Sequence, residues 1–181
     1  MAKRKKTVAE RAKALKGKTL IDPKEFENSK RNIKYIAIHC AATPPSMDVG
    51  RERIKKWHLD RGFVDVGYHF IIKRDGSIDK GRDLDGDGFV IEEIGAHARG
   101  VNSVSIGICW VGGVAESNKK TAEDNRTKEQ LATMKQLVKE LAAQYPDAII
   151  QGHRDFPGVS KSCPSFDVAN WCEVVGINHN Q

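Results

Sequence analysis

Short continuous apolar runs alternate along this chain with stretches whose apolar residues recur at helical spacing. "IKYIAIHC" (33–40) is a β-branched and aromatic run with no polar face, the pattern of a strand buried on both sides, and "AATPP" stops it just after His39. "GRERIKKWHLDRG" (50–62) predicts a helix with Ile54, Trp57 and Arg61 on one side and Gly62 at its end. "VGYHFIIKRDGSIDKG" predicts two strands around an "RDGS" turn, and "VSIGICWVGG" (104–113) another buried strand. The clearest helix is "TKEQLATMKQLVKELAAQYP": Thr127 and Gln130 form a capping box, Leu131, Met134, Val138, Leu141 and Tyr145 a core stripe, and Pro146 the stop. "DAIIQGH" (147–153) predicts a short strand ending in His153, and "FDVANWCEVVG" a closing helix. Alternating strands and helices predict an α/β fold, one domain with a central, mostly buried mixed sheet flanked by helices.

Length and charge refine this picture. A chain of 181 residues with 39% hydrophobic residues suits one folded unit, and no apolar run approaches the roughly 18 residues that cross a bilayer. Basic residues at the N-terminus have no apolar segment behind them, so no signal peptide is expected and synthesis is placed in a cytoplasm. The formal charge of +6 favours an anionic partner, and eight of the 30 Lys and Arg lie in the first 18 residues against one acid, Glu10. Within that arm "TVAE" is a capping-box pattern, and Val8, Ala12 and Leu15 continue at helical spacing to Gly17. A basic arm and linker over 1–30 is therefore expected, followed by the domain over 31–181. Four cysteines in a chain without a dense framework are expected as free thiols or ligands.

His39 and His153 each end a predicted core strand, and Cys163 follows in a loop. Two imidazoles and a thiolate can hold one Zn2+ tetrahedrally, with the fourth position open, as in a catalytic site. The spacing matches no compact finger pattern, and by itself it also fits unrelated core and loop residues.

The company these residues keep is more specific. "YIAIHCAAT", "DVGYHFIIKRDG", "GRD", "GAHARGVNSVSIGICWVGG", "GHRD" and "KSCPSFD", in this order, resemble the zinc N-acetylmuramoyl-L-alanine amidases of phage-lysozyme type, in the superfamily that includes the peptidoglycan recognition proteins. The resemblance spans residues 33 to 175. It implies zinc ligands at His39, His153 and Cys163, a hydroxyl donor at Tyr68, and a catalytic ammonium at Lys161. It further implies substrate contacts at His97 and Asn102, and a phage endolysin that hydrolyses the amide between N-acetylmuramic acid and L-alanine after release from the host cytoplasm to the cell wall. A muropeptide-recycling amidase shares that chemistry. A non-catalytic peptidoglycan-binding relative, or one that restrains a phage RNA polymerase, is the competing class. No motif supplies a carboxylate base of the "HExxH" kind.

Other residues have plainer readings. His69 alternates with Tyr68 and is expected on the opposite face as a structural histidine. His58 and His179 read as surface, and Cys40, Cys109 and Cys172 as inert buried thiols. "DLDGDGFVIEEI" (83–94) starts like a calcium loop with Asp83, Asp85 and Asp87, but its twelfth position is Ile94 where a bidentate Glu is needed, so a solvated acidic loop is the default. The arm reads either as a solubilising tail or as an anchor to an anionic cell envelope. Nucleic acid is disfavoured because no aromatics interleave its charges. A monomer is expected.

Overall fold

Strand β1 (Tyr35–Cys40) lies inside a sheet that the sequence places there through its unbroken apolar run, and all but its first residue are buried. The computed structural model describes residues 19–180. Four further strands complete the sheet: β2 (Phe70–Ile72), β3 (Ile78–Lys80), β4 (Ser105–Trp110) and β5 (Ile149–Gly152). Their order is β3-β2-β4-β1-β5. All neighbours run parallel except the β2/β3 hairpin. β1 and β4 pair from Tyr35 with Ser105 to Cys40 with Trp110, which sets His39 beside Cys109.

Among the described residues four α-helices accompany the sheet: α1 (Lys24–Asn28), α2 (Arg51–Leu59), α3 (Lys128–Gln144) and α4 (Val168–Val175). Strand alternation divides the core between two faces. Ile36, Ile38, Ile72, Ile106, Ile108 and Trp110 pack with Met134, Leu137 and Leu141 of α3 and Trp171 of α4. Ile71 and Cys109 face the other way, towards Ile54 of α2. His39, one residue from Ile38, belongs to this second face and lies at the C-terminal end of β1, where open parallel sheets place their ligands.

The predicted elements are present, with adjustments that have physical causes. The Thr127–Gln130 capping box forms as expected. The buried face of α3 is rotated, however: Leu131 is 37% exposed, while Gln130 is buried. The Gln130 amide reaches the sheet, donating to the carbonyls of Ile72 (3.2 Å) and Val111 (2.8 Å), so a polar residue takes the position next to the strand ends. The expected linker is packed from residue 19 onwards. Ile21 joins the main core, and the N–H groups of Leu20 and Ile21 donate to the buried Glu140 carboxylate. Glu25, fully buried, accepts from Val90 N (2.8 Å) and Ile91 N (3.0 Å) and pairs with Lys80. The expected basic helix of the arm lies outside the described residues. Among the described residues no helix is long and apolar enough to cross a membrane.

Candidate metal centre and cleft

The donor atoms of His39, His153 and Cys163 lie within 4.8 Å of one another. Three segments bring them together. His39 is the penultimate residue of β1, and His153 opens a 3-10 turn (His153–Asp155) directly after β5. Cys163 sits in a loop fastened on several sides. Arg154 N donates to its carbonyl (2.8 Å), Cys40 N to its sulfur (3.3 Å), Trp110 Nε1 to Pro164 O (3.1 Å) and Ser165 Oγ to Gly113 O (2.7 Å). The loop is therefore held to both neighbouring strand ends, and its sulfur stands 3.9 Å from His39 Nδ1. The His39 and His153 ring centroids are 4.6 Å apart.

Electrostatics prepare the imidazoles as neutral donors. Burial holds His39 well below its usual pKa, helped by His153, His69 and the Lys161 ammonium. Burial and Lys161 lower His153 as well. The Cys163 thiol hydrogen-bonds Cys40 and draws it down to about 7, while that bond and burial push Cys163 itself up. Two neutral imidazoles and one sulfur fit a zinc ion by donor type and number.

These residues open onto a cleft of about 550 Å³, lined in part by Trp57, His58, Arg61, Phe63, Tyr68, His97, Lys120 and Lys161. Among the described residues the lining contains three cations and no carboxylate. Tyr68, just before β2, has its ring 5.1 Å from that of His39, and burial raises its phenol well above the usual value, so its proton is retained. Lys161 is exposed on the rim. A larger depression of about 970 Å³ lies between α2 and β3 and shares only Trp57 with the cleft.

Several expectations change. His58 is buried, not on the surface: its Nδ1 accepts from Gly67 N (2.8 Å), and burial together with Arg61 lowers it to about 4. His179 is half-buried, and its carbonyl accepts from Ile150 N. His97 lines the cleft, but Asn102 does not. The Asn102 Oδ1 accepts from the N–H groups of His97 and Ala98 (2.9 Å each), so its carbonyl braces the loop that carries His97. His69 is buried but not on the far side: it shares the sheet face of Ile71, its ring centroid lies 5.5 Å from that of His97, and its Nδ1 accepts from Gly107 N.

Two residues were missed. Cys40 contacts the Cys163 loop although it alternates with His39, because that loop wraps the strand end. Arg31, given no role in the sequence reading, sends its guanidinium to the carbonyls of Ile91, Glu93, Asn102 and Ser105, and it fixes the segment leading to His97. Only its charge among polar neighbours hinted at this.

The acidic loop forms two carboxylate groups, Asp83/Asp85/Glu93 and Asp85/Asp87/Glu92. Its oxygens cap their own backbone: Asp83 accepts from Gly86 N and Gly88 N, Asp85 from Asp87 N, Asp87 from Phe89 N, and Glu93 from Leu84 N. Ile94, in the position a bidentate ligand would take, is 53% exposed.

Comparison with known proteins agrees with this geometry. Residues 29–166 match the N-acetylmuramoyl-L-alanine amidase family, and the chain belongs to that family. An endolysin of Klebsiella phage KP32 is 42% identical over 144 residues, covering 80% of this chain and 88% of the relative. An endolysin of Escherichia phage T7 is 43% identical over 138 residues, covering 76% and 84%. Among solved structures, an N-acetylmuramoyl-L-alanine amidase endolysin of Clostridium intestinale shares the fold with a TM-score of 0.65 at 24% identity, covering 82% of this chain and 86% of that one.

Proposed function

We propose that this peptidoglycan amidase of the phage endolysin kind works with one zinc ion held by His39, His153 and Cys163, and that Tyr68 and Lys161 are its catalytic side chains. The convergence of the three donors in one cleft carries the reading. When bound there, zinc polarises the scissile carbonyl and lowers the pKa of water, which supplies the nucleophile near neutral pH.

The chain's own groups supply the rest. As the amide carbon becomes tetrahedral, negative charge develops on its oxygen. The Tyr68 phenol, kept protonated by burial beside His39, can donate to that oxygen, and the Lys161 ammonium stabilises it through space. The departing amine needs a proton, which Lys161 or Tyr68, both in the cleft lining, can deliver. Arg61 and Lys120 give the cleft a positive field suited to an anionic peptide-bearing polymer.

Metal analysis combined with lysis of purified sacculi tests the reading. Wild-type protein should carry one zinc per chain, lose activity on chelation and regain it with zinc. Cys163→Ser should lose both zinc and activity by more than about 100-fold, since loss of a direct ligand exceeds the 10- to 100-fold effect of an outer partner. Full activity in the metal-free protein would refute it. Cleavage of soluble muropeptides with intact sacculi left untouched would favour the recycling role.

A further inference from the structure

His97 stands beside the metal ligands without being one of them. Its Nδ1 is 3.1 Å from His39 Nε2, and its Nε2 is 3.3 Å from the hydroxyl of Ser105. The proton positions along this chain follow from the geometry. His39 turns Nδ1 towards the Cys163 sulfur, so Nδ1 must be unprotonated to coordinate a metal, and a neutral His39 then carries its proton on Nε2. That proton points at His97 Nδ1, which must accept it. A neutral His97 in turn carries its proton on Nε2 and donates to Ser105 Oγ. Every ring nitrogen thus has one role, and the chain closes on a buried hydroxyl at the start of β4.

The surroundings fix His97 in this place. A Cβ on Gly95 would come within 2.5 Å of the His97 ring, and one on Gly107 within 2.6 Å, so two glycines form the slot that the ring occupies. Asn102 Oδ1 holds the backbone N–H groups of His97 and Ala98, and Arg31 ties Asn102 O, Glu93 O and Ser105 O together behind them. This is more bracing than a substrate contact on a flexible rim requires.

We infer that His97 is a positioning residue for the metal centre: it accepts the Nε2 proton of His39 and so fixes the ring orientation and the tautomer that present Nδ1 to the metal. The inference rests on the zinc reading above. Partners of this kind raise ligand basicity, and their loss lowers metal affinity by about 10- to 100-fold.

The test uses the full chain and zinc itself, in competition with a chromophoric chelator. His97→Leu removes the acceptor, whereas His97→Asn places a carbonyl oxygen where Nδ1 stood. His97→Leu should weaken zinc binding by about 10- to 100-fold, and His97→Asn should restore it to within a few-fold of wild type. Long-range nitrogen–proton NMR on zinc-loaded protein should show His39 protonated on Nε2 in the wild type and in His97→Asn. Equal affinity in the wild type and His97→Leu, or equal loss in both variants with unchanged metal-free Tm, would overturn the inference. If His97→Leu does not fold, His97→Asn and the NMR signature decide alone: weakened binding or a His39 protonated on Nδ1 would overturn it. Failure of the wild type to bind zinc at all would instead remove the zinc reading on which it stands.

Discussion

Tyr68 and Cys163 are each asked to do one thing at the residue scale. If the Tyr68 hydroxyl donates to charge that exists only in the transition state, Tyr68→Phe should lower kcat by about 10²- to 10³-fold, or about 2.7 to 4 kcal/mol, and leave KM nearly unchanged. A rise in KM with unchanged kcat would make Tyr68 a binding residue. The proposed metal residues stood out partly because few side chains hold zinc, but spacing left them ambiguous and the ordered family motifs singled them out; their donor atoms lie within 4.8 Å of one another. His58 and Asn102 were not legible in the same way. Their roles depend on single hydrogen bonds to backbone groups, Gly67 N for one and the N–H groups of His97 and Ala98 for the other, and nothing in local spacing reports those partners.

Elements were read from periodicity, and they were read well wherever one face is uniformly apolar. β1 and β4 are examples, and so is α3 apart from its rotated first turn, where Gln130 is buried and Leu131 is exposed. Periodicity cannot show that an isolated acid in a polar segment will be buried. Glu25 is such a case, joining α1 to the segment before the cleft through Val90 N, Ile91 N and Lys80. Glu25→Ala would leave two buried N–H groups without an acceptor, at about 1 to 3 kcal/mol each. For a domain of this size the expected result is a fall in Tm of about 4 °C or more. Amide exchange should accelerate first at Val90 and Ile91. Unchanged exchange there would show that the segment is held by other contacts.

Across the whole molecule, the buried histidines couple stability to pH. Folded His58 takes a proton only near 4, because of burial and the nearby Arg61 and Arg82, and folded His69 only near 3, because of burial and Arg31. In the unfolded chain both titrate at about 6.5. Between those values the unfolded state binds more protons, so stability is full above about 6.5 and falls as the pH drops towards 4, by up to about 1.4 kcal/mol per unit for each histidine. His58→Asn keeps an acceptor for Gly67 N but does not titrate. Its stability curve should be shallower than that of the wild type over this window, as measured by denaturant unfolding at several pH values, and parallel curves would contradict the assignment.

The cleft, the family and the proposed metal ligands all point to one bond, so the most direct measurement is the mass spectrum of products released from purified sacculi by zinc-loaded protein. The account predicts free stem peptides beginning with an unblocked L-alanine, glycan strands that keep their lactyl carboxyl groups, and no products from Cys163→Ser. Shortened glycan fragments with peptides still attached, or peptides cut between amino acids, would contradict it.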